Sequence, residues 1–361
     1  MIESCGWLVE SYLTGRKSKT KIAGIYSSWI EVITGIGEGS VLGPLIFILT
    51  IICVSMVLMR VKQRLLAEHA IEAQLDDGTY VKPVSLSGLE FADDCTGVTV
   101  CKREQDLQTS MQILSEEFTK YFESHGLKIN VSKSEHMVLG GPRKLNQVVI
   151  DGRKEARKVK LLGITFTNTY TFEDHVTKVC SKMAARNGQL VKLKPYADIK
   201  TMKMLANSVV VSVATYGSEI YGVDKSQVNK VQVKMNQTMR NITGSGLRRH
   251  IKDMLTQLRW LNFPEMIMYG KIILVNKIMS SNVSPFCLML MIKAMNDRQQ
   301  RYQTRERDLR IAWRVRTQRR GDKSFLVSAL KLYNFAKVAG RGDDLAEFKE
   351  IVKDKILSWR K

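Results

Sequence analysis

The stretch Val41–Met59 (VLGPLIFILTIICVSMVLM) carries no charge and lies between Glu38 and Arg60. A run of this length either crosses a bilayer or is buried against the protein's own core. Gly43-Pro44 at its start cut the uninterrupted helical part to Leu45–Met59, which is short for a membrane span. A buried core helix accounts for the same composition. With 44% hydrophobic and 25% charged residues, the 361-residue chain reads as globular and long enough for about two domains.

Net charge narrows the choice of partners. The chain has 56 Lys+Arg against 35 Asp+Glu, a formal charge of +21. A polyanion such as nucleic acid is the usual reason for that excess, because each neutralised phosphate releases counterions. Charge alone leaves basic ribosomal and membrane-surface proteins open. Six cysteines, Cys5, Cys53, Cys95, Cys101, Cys180 and Cys287, are scattered singly with no C-x-x-C pair. They read as reduced thiols of an intracellular protein, nucleus and cytoplasm not being distinguishable. The start, Met1-Ile2-Glu3-Ser4-Cys5-Gly6-Trp7, lacks the basic-then-apolar order of a signal peptide.

Along the chain, Lys19–Ile25 and Trp29–Ile33 read as strands, followed by a turn rich in glycine (Gly35, Gly37, Gly39). Val61–Gln74 is expected to be helical, and Asp76-Asp77-Gly78 has hairpin-turn chemistry, with Thr79–Val81 returning. Leu89–Ala92 and Thr96–Val100 flank Asp93-Asp94 as a second hairpin. Asp106–Ser124 has the clearest helical period, with Leu107, Met111, Leu114, Phe118, Tyr121 and Phe122 on one stripe and Gly126 placed to cap it. Leu127–Asn130 and His136–Leu139 read as strands. Helices follow, the first opened by a Thr171-x-x-Asp174 capping box and closed by Pro195. Ile199–Tyr216 is ambiguous because Val209-Val210-Val211 favours strand; Val228–Ile242 is helical. Arg298–Arg320 holds nine arginines, with Tyr302, Leu309 and Trp313 on one stripe, a basic amphipathic helix.

The sharpest chemical feature is Phe91-Ala92-Asp93-Asp94. An isolated Asp-Asp pair is usually turn chemistry, and Asp76-Asp77-Gly78 shows that form. The second pair differs: apolar residues precede it and no glycine follows until Gly97. Adjacent carboxylates on a bend repel, and become favourable when a divalent cation lies between them and a further carboxylate. Magnesium suits such a site because it takes one or two carboxylates plus substrate phosphates.

The order of these features carries a resemblance. Gly35-Ile36-Gly37-Glu38-Gly39-Ser40-Val41-Leu42-Gly43-Pro44-Leu45 comes first, then Phe91–Asp94, then Leu127-Lys128-Ile129-Asn130-x-x-Lys133, then Leu161-Leu162-Gly163-Ile164. Together these resemble the reverse transcriptases of non-LTR retrotransposons, which carry G-V-P-Q-G-S-x-L-G-P-L, F/Y-A-D-D, L-x-x-N-x-x-K and L-G blocks in that order. Tyr12-Leu13-Thr14-Gly15-Arg16 and Tyr216-Gly217-Ser218-Glu219-Ile220-Tyr221-Gly222 are similar to flanking stretches, so the likeness covers roughly residues 8 to 280.

The resemblance implies an α+β fold: a partial right-hand polymerase palm over residues 1–165, an antiparallel sheet with helices on one face. An all-helical thumb-like region, 166–245, and a basic helical C-terminal region, 246–361, would follow. Asp93 and Asp94 would hold two magnesium ions that activate a primer hydroxyl and stabilise the pyrophosphate leaving group. Lys133 would neutralise that leaving group, although a solvated surface lysine fits the same pattern. Glu38, Gly39 and Ser40 would face nucleotide and template, and Phe91 would support the hairpin from below or serve as a plain core aromatic. RNA template, DNA primer and deoxynucleotides would be the partners, with no membrane role for Leu45–Met59.

Departures from the family pattern point the other way. The acids ahead of the glycine-rich block are Glu3, Glu10 and Glu31, none in an apolar strand followed by an aromatic, so the first catalytic Asp of the family has no match. Two carboxylates from one hairpin clamp two ions poorly, and the chain is expected to be inactive unless the missing N-terminal part of the same element joins it. The lost strand would leave a raw sheet edge. Glu38 replaces the usual Gln, Gly37 the usual Pro, and Thr50-Ile51-Ile52-Cys53 a Y-I-N-D-like sequence. A non-catalytic nucleic-acid-binding remnant is the alternative, supported by the arginine-rich stretch.

Overall fold

The computed structural model describes residues 2–33, 35–37, 39–51, 54–75, 84–92, 94–140, 148–151, 153–280, 328–329, 332–333 and 345–360. Glu38, Asp93, the Asp76-Asp77-Gly78 turn with Thr79–Val81, and the arginine-rich stretch 298–320 lie outside the described residues. The chain divides into two compact units. Unit 1 is Met1–Asp76, Val81–Ser134 and Asn146–Lys154; unit 2 is Asp77–Tyr80, Glu135–Leu145 and Glu155–Lys361. Both helices and small sheets are present, which agrees with the α+β expectation.

Unit 1 opens with helix α1 (Ile2–Leu13). The two strands expected between residues 19 and 33 are instead four two-residue strands. They are β1 (Lys17–Ser18), β2 (Lys21–Ile22), β3 (Ile25–Tyr26) and β4 (Ile30–Glu31), and β1 pairs β4 while β2 pairs β3, both antiparallel. Ala23 and Gly24, at φ 48° and 87°, turn the chain inside the run read as one strand. The Lys19 ammonium lies over the Tyr26 and Trp29 rings, 4.2 and 4.6 Å from their centroids.

The uncharged run contributes to two helices, α2 (Gly43–Ile51) and α3 (Val54–His69). Among the described residues no helix is long and apolar enough to cross a membrane. Helix α3 ends at His69, so the expected helical tail to Gln74 is not formed, and Ala73–Leu75 is strand β5. Strand β5 pairs in parallel with β6 (Val84–Phe91), and β6 pairs antiparallel with β7 (Asp94–Cys101). Helices α3 and α4 (Gln105–Ser124) supply the core beside this sheet. Val57, Val61 and Leu65 meet Val84, Leu86, Ile113, Leu114, Phe118 and Tyr121, all buried. Arg64 on α3 bonds Glu68, Glu116 and Glu117 at 2.9 to 3.0 Å and ties the two helices at their rim.

Beyond α4, the strands expected at Leu127–Asn130 and His136–Leu139 are not formed. The first stretch is irregular and leads into a 3-10 turn at Val131–Lys133; the second makes one backbone bond, Ala156 N to His136 O at 2.8 Å. A short pair, β8 (Val149–Ile150) with β9 (Arg153–Lys154), is fastened to α4 by the Gln108 amide, which both donates to and accepts from the Val149 backbone.

Unit 2 begins with the hairpin β10 (Lys158–Leu161) and β11 (Ile164–Thr167). Helices α5 (Glu173–Leu193), α6 (Ile199–Ala206), α7 (Ser212–Thr215), α8 (Ser218–Tyr221), α9 (Lys225–Thr243), α10 (Ile251–Leu258) and α11 (Phe263–Ser280) follow, and α12 (Leu345–Ser358) packs on α11. The capping box is not made. Phe172 stands at the N-cap, Thr171 bonds Thr167, and Asp174 pairs with Lys158 at 2.6 Å. The β-branched run Val209–Val211 stays helical inside a π-turn, Asn207–Val211. Arg186 donates to the Val209 carbonyl within that turn. Asp198 and Asp224 cap α6 and α9 by accepting from the Thr201 and Ser226 amides.

Candidate functional site

Alternation along the β6–β7 hairpin divides its side chains between two faces. A Cβ placed on Gly97 would lie 2.8 Å from Leu114 Cδ2, and Cys101 Sγ lies 3.2 Å from Ser110 Oγ, so Cys95, Gly97, Thr99 and Cys101 face α4. Their register partners Glu90, Gly88, Leu86 and Val84 share that face. The opposite face therefore carries Phe91, Leu89 and, across from them, Asp94 and Thr96. Phe91 and Asp94 are directly paired, with only Ala92 and Asp93 between them. Ala92 has φ 52°, the left-handed conformation that a two-residue hairpin turn demands of its first residue, as at Ala23 and Leu162.

Phe91 is 65% exposed and Leu89 55% exposed. The ring neither supports the hairpin from below nor belongs to the core; it stands open beside Asp94, which is also exposed. On the helix-facing side, desolvation raises the Glu90 carboxyl, and desolvation followed by Glu90 pushes the Cys95 thiol up to about 12.

Ser40 sits ahead of α2 with its Oγ accepting from Gly43 N at 3.0 Å, and its own amide bonds Gly37 O at 3.3 Å. Its hydroxyl acts as a helix cap here. Gly39 has φ 78°, which glycine adopts freely. Lys133 closes the 3-10 turn, where the Asn130 side chain accepts from the Lys133 amide at 3.3 Å, and its own side chain is exposed. Gly39, Ser40, Phe91, Asp94 and Lys133 all belong to unit 1. Among the described residues the hairpin register brings Phe91 and Asp94 together, while no hydrogen bond or ion pair joins that tip to Ser40 or Lys133. Among the described residues no cluster of three or more His, Cys, Asp and Glu side chains could hold a metal ion. The described acids of unit 1 thus do not by themselves complete a magnesium site.

The two remaining motif-like stretches meet in unit 2. Leu162 and Gly163, at φ 45° and 85°, form the two-residue turn between β10 and β11. The Tyr216 hydroxyl donates to Leu162 O at 2.7 Å, and a Cβ on Gly163 would lie 3.3 Å from the Tyr216 ring. Gly217 presses against the Ile164 side chain, and Gly222 leaves room for Ile267 of α11. The glycines in both stretches are thus explained by close approach of backbone to side chain.

No family model matches the chain, and no solved structure does. Three proteins of Drosophila melanogaster match. The RNA-directed DNA polymerase from mobile element jockey is 22% identical over 259 residues, 70% of this chain and 26% of that protein. The probable RNA-directed DNA polymerase from transposon X-element is 24% identical over 247 residues, 66% of this chain and 25% of that protein. The corresponding protein from transposon BS is 24% identical over 251 residues, 65% and 25%. The chain spans about a quarter of the length of the curated relatives it matches. Over about two thirds of its length, then, this chain is similar to part of the RNA-directed DNA polymerase of non-LTR retrotransposons.

Proposed function

We propose that these 361 residues are part of a reverse-transcriptase core, with the β6–β7 hairpin as the carboxylate-bearing corner of a polymerase palm. The observation that carries this reading is the hairpin itself. A two-residue tip places Asp94 in register with Phe91 on the open face of a helix-backed sheet. In this reading residues 1–165 are the partial palm, 166–245 the thumb-like region and 246–361 the basic C-terminal region. RNA template, DNA primer and deoxynucleotides are the partners of the assembled enzyme.

Magnesium, when bound, would supply the charge that lowers the energy of the pentacoordinate phosphoryl group during nucleotidyl transfer. Asp93 and Asp94 would hold it. Within these residues the matching first carboxylate is absent, because Glu3, Glu10 and Glu31 do not occupy its pattern. The chain alone therefore binds a divalent ion weakly and does not extend primers. Gly39 would let the backbone approach a nucleotide closely, Ser40 would hold the start of α2 in place beneath it, and Glu38 would disfavour nearby phosphates by repulsion. Lys133, exposed, would offer a cation to a departing pyrophosphate.

The test combines Mn2+ relaxation with primer extension on a DNA-primed RNA template. Expected are broadened amide signals centred on Phe91, Asp94 and Cys95, lost in Asp93→Asn/Asp94→Asn, and no extension. Absence of broadening at the hairpin would overturn the metal role, and robust extension would overturn the inactivity. A second reading, a non-catalytic nucleic-acid binder, is favoured by the charge of +21. It requires salt-sensitive RNA or DNA binding that the same double variant leaves unchanged.

A further inference from the structure

Unit 2 contains an open cleft of about 390 Å³ whose wall includes Lys160 of β10, His175, Lys178, Lys182 and Arg186 of α5, and Tyr216 after α7. The lining carries four basic side chains and no carboxylate. Lys178, Lys182 and Arg186 follow one another at i, i+4 and i+8, with His175 about one turn earlier on the same side of α5. Like charges at that spacing destabilise a helix. The acids in the first turn of α5 are engaged elsewhere, Glu173 with Lys230 at 3.0 Å and Asp174 with Lys158 at 2.6 Å. Lys178 Nζ donates to Thr165 Oγ1 at 3.3 Å and Arg186 to the Val209 carbonyl, so these two cations are held in place by neutral partners that leave their charge uncompensated.

His175 lies in the same wall. It is 6% exposed, and its Nδ1 accepts from Thr165 N at 3.3 Å. The proton of the neutral ring is thereby assigned to Nε2. That Nε2 is buried without a hydrogen-bond partner, and the ring makes a T-shaped contact with Tyr221, 4.8 Å between centroids. Burial first, then Lys178 and Lys182, lower the imidazole pKa, so the ring is neutral near pH 7 and adds no charge to the cleft. A ligand that suits the cleft has several acceptor oxygens and negative charge, able to take ammonium and guanidinium donors at once.

We propose that this cleft binds a phosphate group between Lys178 and Lys182, with Lys160 and Arg186 adding positive charge around it and His175 in the same wall as a reporter of its arrival. The phosphate can come from a small phosphate-bearing molecule or from the backbone of a nucleic-acid strand. The proposal does not rest on the polymerase reading, because every residue it uses lies in unit 2 and none belongs to the hairpin.

The test uses the full chain with labelled histidine side chains, titrated with inorganic phosphate at constant ionic strength. A saturable shift of the His175 signal is expected. Affinity should fall at least tenfold in Lys178→Ala/Lys182→Ala and several-fold in Lys160→Ala. It should be unchanged in the charge-matched control Lys200→Ala/Lys225→Ala. A His175 signal that phosphate leaves in place, or equal losses in the two double variants, overturns the site. A single-stranded DNA oligonucleotide then separates the sources. Displacement of inorganic phosphate assigns the cleft to backbone phosphate, and retention of it assigns a small phosphate-bearing ligand.

Discussion

The two compact units bury their apolar residues to different degrees. In unit 2 one cluster runs from Val176, Val179 and Met183 through Met202, Val210, Met235, Met239 and Met254 to Phe263, and a second joins α11 to α12. Unit 1 has the smaller cluster between α3, α4 and one face of the β5–β7 sheet. It leaves Ile22, Ile25, Trp29, Ile33, Val41, Leu89 and Phe91 open to solvent. The lesson is that the candidate catalytic corner stands on the thinner unit, on exposed groups, whereas the basic cleft is cut into a core that already closes on itself. Strand β7 is moreover an edge of its sheet among the described residues, with backbone groups free to pair with another strand.

Truncation of a core aromatic tests that contrast most strongly. Phe263→Ala, at a fully buried ring, should lower unfolding stability by about 3–5 kcal/mol, whereas Phe91→Ala should change it by no more than about 0.5 kcal/mol. Denaturant unfolding followed by fluorescence of Trp260, itself buried in unit 2, measures the first, and hairpin amide exchange measures the second. Equal losses would erase the distinction between the units.

Glycine replacements come next in size. Gly217→Ala forces a side chain into a left-handed backbone at φ 67° and against Ile164, and should cost roughly 1–3 kcal/mol of unit 2 stability. Gly97→Val, meeting Leu114 and Phe118 at 2.8 and 3.0 Å, should cost a similar amount, roughly 1–3 kcal/mol, in unit 1. Thermal unfolding of each variant is the measurement. A neutral Gly97→Val would mean that α4 does not press on the sheet as described.

The smallest effect is a pH dependence confined to unit 2. His175 is surrounded by Lys178 and Lys182 of its own helix, Lys160 and Thr165 of the hairpin, and the Tyr221 ring, 4.8 Å between centroids. Its folded pKa lies below the ordinary 6.5, so the unfolded chain takes up the proton first as pH falls. The contribution is present above about pH 6.5 and is lost as pH drops through the folded value. Unfolding of the wild-type chain and of His175→Gln between pH 7.5 and 5 measures it; identical slopes would show that another group governs that window.

Several elements were legible in the residues alone because their signals are local. The stripe along α4, the turn residues of the 84–101 hairpin and the helical spacing of α5 and α9 are periodic patterns that burial enforces. The cleft had such a signal too, three cations at four-residue spacing behind a histidine, but a charge stripe reads equally well as a solvated face. Other expectations failed where local chemistry had a competitor. Thr171 found hydroxyl partners at Thr167 and Thr169 instead of the α5 amides; the valine run 209–211, ambiguous from its residues, is helical.

Residue order settled that this chain would pair a carboxylate-tipped hairpin with a long amphipathic helix, and that its surface would be strongly basic. Those properties follow from spacing and composition, which do not depend on distant contacts. Only the tertiary packing decided that Ala73–Leu75 forms a strand paired in parallel with β6, that Phe91 stands open beside Asp94, and that His175 is buried with one nitrogen unpartnered. Each of those outcomes depends on which distant residue occupies the adjoining space. Burial and hydrogen-bond satisfaction belong to a site rather than to a residue.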